Sequence, residues 1–334
     1  MSMLIGHDWA RDLLVRQQDN DHTPQSLLIV GPPNIGKSTL ARFFMQRLHC
    51  KKIDEKTDTR YEKTDPKPCN DCVPCRKVLH GNHPDLFIFD EEGSLKIETI
   101  RTLQRMLSLS AVESRYRVAI LCNFEQATIS ASNALLKTLE EPAKDVVIIL
   151  TASDPGALLP TITSRCQILS LRPLPTKEVL TALQTHWQVE TTQAELLAQL
   201  ATGRLGWAVR AIEDAELLTR RQQYLQDLLN LLSANRTERL SYAHKLSQDV
   251  AKLREALIFW ITLSRDLLLI QAKCQTSIIN LDWHDPLEKL SKQLTITQVR
   301  TMVSRLRKTL TNLDRNVNPR LNLEVSLLKL PFAR

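Results

Sequence analysis

The sequence predicts an α/β domain, in which a parallel sheet lies between layers of helices, followed by a region that is helical throughout. Two observations predict this order. In the first half, short apolar runs alternate with stretches whose apolar residues recur at helical spacing, which is typical of parallel strands joined by helices. After Pro175 the strand patterns end and helical periodicity alone continues.

Four apolar segments of the first half predict buried strands. They are short and rich in Leu, Ile and Val, as strands covered on both faces are. These segments are Ser26–Val30, Asp85–Phe89, Arg117–Cys122 and Asp145–Leu150.

Helical spacing of apolar residues predicts the helices. Those of the first half are Lys37 to about Cys50, Ile97–Leu109 and Ser130–Glu141, the last stopped by Pro142. Those of the second half are Thr176–Trp187, Gln193–Thr202, Gly206–Leu218, Lys252–Lys273 and Ile296–Asn312. Residues 51–68 are polar without periodicity and predict an exposed loop.

Length and composition describe an ordinary globular protein. The 334 residues suffice for two or three domains, and 43% are hydrophobic and 24% charged. No signal peptide pattern opens the sequence and no apolar run approaches the roughly 20 residues that span a bilayer, so we expect a cytoplasmic protein. The net charge of +7 is compatible with DNA as a partner. The basic residues are spread along the chain, however, so a solvated surface fits equally well.

A phosphate-binding motif follows the first predicted strand. The residues Gly31-Pro-Pro-Asn-Ile-Gly36-Lys37-Ser38 match G-x-x-x-x-G-K-[ST] between a strand and a helix. The glycines let backbone N–H groups turn toward phosphates, Lys37 would reach the β- and γ-phosphates, and Ser38 would hold magnesium. The alternative is a loop that keeps this shape but no longer binds ATP tightly.

Hydrolysis also needs an acid to hold magnesium at the end of a neighbouring strand. The strand Val118-Ala-Ile-Leu is followed by Cys122 and Asn123, and neither supplies the hard carboxylate oxygen that magnesium prefers. Glu125 lies where the chain should already be leaving the site, and Asp90 ends a different strand. The sequence therefore argues against hydrolysis and leaves open whether ATP and magnesium bind.

Four cysteines have the spacing of a metal site. Cys50, Cys69, Cys72 and Cys75 offer four soft ligands, and the two C-x-x-C pairs can turn back onto one ion. Four thiolates leave no open position, so we predict a structural zinc ion, with a redox pair or an iron–sulfur cluster as alternatives. The remaining Cys122, Cys166 and Cys274 are expected to be buried packing residues. His49, beside Cys50, is expected to be exposed.

A second group of motifs carries a resemblance to a known family. Asn133-Ala-Leu-Leu-Lys-Thr-Leu-Glu-Glu-Pro142 begins eleven residues beyond Cys122. Ser164-Arg165-Cys166, the Gly203-Arg-Leu-Gly206-Trp-Ala stretch and Asn318-Pro-Arg-Leu-Asn-Leu-Glu324 follow in order. In these motifs the chain resembles the clamp-loader branch of the AAA+ ATPases along nearly its whole length. The segment His83-Pro-Asp-Leu86 and the degenerate magnesium strand resemble the stationary, non-hydrolysing subunit of such a ring.

The resemblance implies an architecture and a set of roles. It implies an AAA+ P-loop domain over residues 1–170 with a zinc module inserted at 50–75, a helical lid over 171–213 and an all-α collar over 214–334. Arg165 corresponds to the arginine finger that such subunits project into a neighbour's ATP site. Gly206 falls where active relatives carry an arginine that senses the nucleotide. The implied partners are ATPase motor subunits, a clamp-opening subunit, a sliding clamp and primed DNA.

Two other functions stay open on the sequence alone. The chain could be an active ATPase in which Asp90 or Glu125 supplies the missing acid. It could instead be a zinc-dependent DNA-binding module that kept its P-loop by descent, although the cysteine module lacks dense flanking Lys, Arg and aromatic residues.

Overall fold

The structure is a computed structural model that describes residues 4–54, 67–90, 93–274, 278–315 and 317–332. The chain forms two compact units. The first consists of Met1–Ala182 with Gly203–Trp207, and the second of Leu183–Thr202 with Ala208–Arg334. None of the helices in the described ranges is long and apolar enough to cross a membrane.

The first unit is built around a five-stranded parallel sheet. Its strands are β1 (Ser26–Val30), β2 (Leu86–Phe89), β3 (Arg117–Leu121), β4 (Val146–Ala152) and β5 (Gln167–Ser170). They lie side by side in the order β2-β3-β4-β1-β5. The four predicted strands are thus confirmed to within two residues at each end. The edge strand β5 was not predicted. Its four residues alternate between exposed and buried positions, so they do not form the apolar run by which the other strands were recognised.

Helices cover both faces of this sheet. They are α1 (Asp8–Asp19), α2 (Lys37–Leu48), α3 (Lys51–Asp54), α4 (Val73–Leu79), α5 (Ile97–Leu107), α6 (Ile129–Glu140) and α7 (Pro160–Thr163). Because side chains alternate along a strand, Leu27 and Ile29 of β1 join one core with residues of α1 and α2. Leu28 and Val30 join the other core with residues of α5 and α6. The predicted parallel sheet with flanking helices is confirmed.

The polar segment after α2 departs from the prediction in part. Residues 51–68 were expected to form a loop, but Lys51–Asp54 form the short helix α3, whose Ile53 is buried beside Cys50 and Cys75. Residues 55–66 lie outside the described residues.

The second half of the chain is helical, as predicted. Its helices are α8 (Thr176–Trp187), α9 (Thr191–Ala201), α10 (Leu205–Glu213), α11 (Ala215–Ser233), α12 (Arg236–Leu246), α13 (Val250–Gln271), α14 (His284–Gln293), α15 (Ile296–Asp314) and α16 (Pro319–Leu328). In the second unit, α13 packs against α11, α14 and α15. Its fully buried Trp260 donates from the indole N–H to the carbonyl of Tyr224 at 2.7 Å.

One predicted helix is two helices. Gly206–Leu218 was expected to be continuous, but α10 ends at Glu213 and α11 begins at Ala215. The cause is Asp214, whose carboxylate accepts the backbone N–H of Glu216 at 3.1 Å. A capping aspartate starts a new helix because it satisfies an N–H that has no partner within the helix.

Candidate functional site

The P-loop lies between β1 and α2, as the motif predicts. The backbone of Asn34 and Gly36 is left-handed, with φ of 63° and 111°, and this turns the loop back toward the start of α2. Gly31 has a φ of 152°, and a Cβ there would lie 2.8 Å from the carbonyl oxygen of Leu171. Glycine is therefore required by space as well as by conformation at position 31.

The P-loop lysine is bonded to its own loop. The ammonium of Lys37 donates to the carbonyls of Gly31 at 2.7 Å and Pro32 at 3.0 Å. Only 7% of the residue is exposed, and burial lowers the pKa of Lys37, while the nearby charge of Glu125 acts to raise it. The ammonium group has three protons, and two of them are already donated to carbonyls of the P-loop instead of being available to a phosphate.

A thiol stands where the sequence leads one to expect a magnesium-binding carboxylate. Cys122 directly follows β3, and its sulfur lies 3.8 Å from the hydroxyl oxygen of Ser38, the P-loop residue that would hold magnesium. Burial raises the pKa of Cys122, so the group is a neutral thiol near pH 7. A neutral sulfur is a poor ligand for magnesium, which takes oxygen donors.

Two carboxylates lie near this thiol. Because β2 and β3 are neighbours, Asp90 is placed beside Cys122, and its charge contributes, after burial, to the raised pKa of that thiol. Glu125 was expected to point out of the site. It instead lies within the short 3-10 turn Phe124–Gln126, accepts the backbone N–H of Ser153 at 3.0 Å and acts electrostatically on Lys37. The sequence concealed this proximity, because a tight turn keeps the chain at the sheet edge.

Gly206, which stands where a nucleotide-sensing arginine was expected, contacts the P-loop through its main chain. The N–H of Gly206 donates to the carbonyl of Asn34 at 3.0 Å, and a Cβ on Gly206 would lie 2.7 Å from that oxygen. Both residues belong to the first unit. Residue 206 therefore contacts the P-loop with its backbone and has no cationic side chain to place there.

Arg165 follows helix α7, and its side chain is 31% exposed. The Nε of Arg165 donates to the carboxylate of Glu140 at 2.5 Å, and one terminal nitrogen donates to the carbonyl of Thr161 at 2.8 Å and the hydroxyl of Ser164 at 3.3 Å. The other terminal nitrogen also contacts Glu140. The next residue, Cys166, packs against the hydrophobic core, and burial raises its pKa to about 11.

The four clustered cysteines come together. The sulfur atoms of Cys50, Cys69, Cys72 and Cys75 all lie within 4.8 Å of one another. The sulfurs of Cys69 and Cys75 are 3.9 Å apart, close to the roughly 3.8 Å that two ligands of a tetrahedral zinc ion have at Zn–S bonds of about 2.3 Å. Cys50 follows the end of α2, while Cys72 caps α4 and Cys75 lies in its first turn. An ion held there would tie the two helices together.

The protonation states of the thiols fit a metal site. Burial raises the pKa of Cys50 and of Cys75, so these sulfurs need a cation to become thiolates. For Cys69 burial acts in the same sense, but backbone N–H groups of Cys72 and Asp71 lower its pKa to about 6. The four residues therefore fit zinc, which would have a structural and not a catalytic effect.

Two expectations about the burial of single residues, His49 and Cys274, were wrong. His49 is buried, not exposed, because its ring stacks on that of His83 at 4.4 Å, and burial lowers its pKa to about 3. It is not among the grouped metal ligands of the described residues. Cys274 is exposed, since it follows the end of α13 and does not face the core.

Comparison with known proteins links these features to DNA replication. Residues 6–175 match the family described as "DNA polymerase III, delta subunit", and residues 215–331 match "DNA polymerase III, delta subunit, C terminal". DNA polymerase III subunit delta' of Bacillus subtilis is 27% identical over 311 residues, which cover 92% of this chain and 90% of that protein. The delta' subunit of Yersinia pestis is 30% identical over 72% of this chain and 69% of its own.

A subunit of another type is also similar along most of the sequence. DNA polymerase III subunit tau of Bacillus subtilis is 26% identical over 331 residues, which cover 91% of this chain. The chain spans 56% of the length of tau.

Proposed function

The chain belongs to the DNA polymerase III delta-subunit family of clamp-loader proteins, and on this premise we propose that it is the stationary, delta'-type subunit of a bacterial clamp loader. In this role it helps to load the sliding clamp onto primed DNA without hydrolysing ATP itself. The observation that carries the proposal is the thiol of Cys122, 3.8 Å from the hydroxyl of Ser38 where a magnesium ligand is needed.

Two further features support a decayed nucleotide site. Lys37 is bonded to the carbonyls of its own loop, so a phosphate would have to displace those bonds. Gly206 brings main chain, and not an arginine, against Asn34. Magnesium coordination, phosphate binding and nucleotide sensing are thus each weakened. Bound ATP and magnesium, if present, would be held by Gly31, Gly36, Lys37 and Ser38 without efficient turnover.

The proposed contribution of this subunit to catalysis is Arg165. In the ring it would act as an arginine finger in trans, where its planar cation would stabilise charge on the phosphoryl group transferred at the ATP site of a neighbouring motor subunit. Its partly exposed position after α7 supports this role. The side chain would have to leave Glu140 to do so.

The remaining parts of the proposal concern assembly. We assign Cys50, Cys69, Cys72 and Cys75 to one structural zinc ion. The partners are motor subunits of the gamma/tau type and a clamp-opening delta subunit, with the sliding clamp and primed DNA reached through the assembled complex in the cytoplasm. The division into residues 1–170, 171–213 and 214–334 stays a prediction, in which the last part forms the collar of the ring.

The test is ATP turnover by the reconstituted ring with Arg165→Ala. Loss of an arginine finger costs about 10³-fold or more at the site it serves, so the ring should lose the share of turnover that comes from the adjoining motor. Arg172→Ala, which changes an exposed arginine seven residues further along the chain, is the matched control and should leave turnover unchanged. Turnover of the Arg165→Ala ring equal to that of the control would refute the assignment.

One observation favours a second candidate function, an active ATPase. Asp90 lies beside Cys122 at the end of the adjacent strand, which is close to where a magnesium-binding carboxylate is needed. If Asp90 takes that part, the isolated chain hydrolyses ATP and Lys37→Ala abolishes the reaction.

A further inference from the structure

Helix α15 carries an excess of positive charge. Its sequence from Ile296 to Asp314 contains four basic residues, and its one acidic residue is the last. One further arginine, Arg315, directly follows the helix.

Most of these cations lie on one face. At about 100° per residue, Arg300, Arg307, Lys308 and Arg315 fall within an arc of about 100°. All four are exposed. The opposite face packs into the core of the second unit through Val299, Met302, Leu306, Thr309 and Leu313. We call the outward face formed by the four cations, with Ser304 and Thr311 between them, the basic ridge.

The cations of the basic ridge have no counterion within the described part of the chain. Some other exposed cations of the second unit are paired: Lys252 with Asp249, Lys292 with Glu288 and Arg320 with Glu324. The side chains interleaved on the ridge are exposed hydroxyls. At its edge Arg300, Thr301, Ser304 and Arg305 line an open concavity of about 570 Å³. The ridge therefore combines unneutralised charge with hydrogen-bonding groups.

We propose that the basic ridge binds the phosphate backbone of duplex DNA without sequence preference. Arginine, lysine, serine and threonine are the side chains that contact phosphate oxygens in protein–DNA complexes. The ridge runs about 22 Å from Arg300 to Arg315 along a helix that rises about 1.5 Å per residue. Duplex DNA carries one phosphate charge about every 1.7 Å of its axis, so a ridge of this length faces several phosphates at once.

The composition of the ridge favours duplex DNA over two other kinds of partner, a single strand and a protein. Single strands are held by aromatic side chains on which bases stack, and the ridge has none. A protein partner would be anchored by buried apolar or aromatic side chains at the centre of the contact, and the ridge has none of these either. The inference rests on the proposed function only in that duplex DNA is available to a clamp-loader subunit.

The test measures DNA binding by the full chain alone, without ATP or partner subunits. Fluorescence anisotropy of a labelled mixed-sequence duplex is recorded over a series of salt concentrations for the wild type and for Arg300→Gln/Arg307→Gln/Lys308→Gln. Each phosphate contact contributes about 0.9 to the slope of log affinity against log salt. The triple variant should therefore bind at least about tenfold more weakly at low salt, with a slope smaller by about three.

A matched variant removes the same charge elsewhere on the second unit. Arg236→Gln/Lys245→Gln/Lys289→Gln changes three exposed cations of α12 and α14, and it should keep most of the affinity and slope. The proposal is overturned if the ridge variant binds like the wild type or if the matched variant loses as much. It is also overturned if the single strand or polyglutamate binds the wild type as tightly as the duplex does. Because Arg165 and ATP take no part, this result is independent of the test of the arginine finger.

Discussion

Arg165 donates a hydrogen bond from its Nε to the carboxylate of Glu140 at 2.5 Å, within one chain. The two residues come from different motifs, since Glu140 ends α6 in the stretch Asn133–Pro142 and Arg165 lies in Ser-Arg-Cys after α7. The carboxylate thus neutralises the cation that is proposed to act on a neighbour's phosphate. Assembly of the ring would have to exchange one anionic partner of this arginine for another.

Replacing Glu140 should release the arginine. The variant Glu140→Gln keeps the shape of the side chain but removes the charge that competes with the triphosphate for the guanidinium. Partly exposed ion pairs are worth up to about 1 kcal/mol, so turnover by the reconstituted ring should rise by up to about fivefold at the adjoining site. Steady-state ATP hydrolysis of the ring measures this directly.

The adjacent glutamate is the control for that experiment. Glu141 is exposed and has no polar side-chain partner among the described residues, so Glu141→Gln changes the net charge equally without touching Arg165. Its ring should turn over ATP like the wild type. A fall in turnover with Glu140→Gln would contradict the prediction, because it would mean that Glu140 holds the arginine in its active orientation.

Steady-state ATP hydrolysis by the purified chain, alone and with primed DNA, should not exceed that of Lys37→Ala. The reason is the set of contacts around the P-loop: Cys122 near Ser38 supplies no hard oxygen for magnesium, and Lys37 is bonded to its own loop. Turnover that Lys37→Ala abolishes would show that the chain is a motor. Asp90→Asn should then abolish it as well, since Asp90 is the carboxylate beside Cys122.

Substitution of a clustered cysteine should remove one metal ion from the chain. Cys75 is fully buried, and Cys75→Ser takes away one of four thiolates that a closed tetrahedral site needs. Atomic emission analysis of the purified protein should give about one zinc ion per wild-type chain and a large loss in the variant. Cys274→Ser, which alters an exposed cysteine outside the cluster, should keep the metal. Iron in place of zinc, with visible absorbance, would contradict the zinc assignment and favour a cluster.

Asp85 should make the first unit sensitive to acid. It is fully buried and accepts backbone N–H groups from Val112 and Glu113, both at 2.8 Å, and from Ser114 at 3.2 Å. Burial opposes these bonds, but the net effect lowers the pKa of Asp85. A lowered pKa stabilises the fold above the unfolded-state value of about 3.9, and this contribution is lost as the pH falls through the folded-state value.

The variant Asp85→Asn tests this assignment. It leaves the buried Arg117, 3.5 Å from the carboxylate, without its counterion, so the free energy of unfolding at about pH 7 should fall by about 3 kcal/mol. The difference from the wild type should begin to shrink below about pH 4, where the carboxylate is first protonated in the unfolded state, and should shrink further as the pH falls through the lowered folded-state pKa. His83 faces the same carboxylate and is unchanged in both proteins. Urea denaturation measures both values, and Asp12→Asn, in a partly exposed pair with Arg11, should change stability by less than about 1 kcal/mol.

Local patterns predicted the frame of the site well. The strand Ser26–Val30, the helix from Lys37 and the meeting of four cysteines depend on signals within a few residues of sequence, such as apolar runs, glycines and C-x-x-C spacing. The break between α10 and α11 was missed because apolar periodicity continues across Asp214, and only its side chain shows that it caps a new helix.

The contacts between residues far apart in the sequence were not predictable in this way. The pair of Arg165 with Glu140 spans 25 positions, and the stack of His49 on His83 spans a segment that has no periodic pattern. Both contacts depend on the order of the β-strands in the sheet, which brings distant loops together. A single sequence does not reveal that order. The same holds for Glu125, whose distance from Lys37 follows from a single turn after β3.

The contact of Gly206 with Asn34 limits which side chains the chain can carry at this position. An arginine at this position would begin with a carbon 2.7 Å from a main-chain oxygen, which no rotation of its side chain can relieve. An arginine placed here would therefore have to displace the P-loop before its cation could reach a nucleotide. The main chain thus restricts position 206 to glycine for as long as the P-loop keeps its present shape.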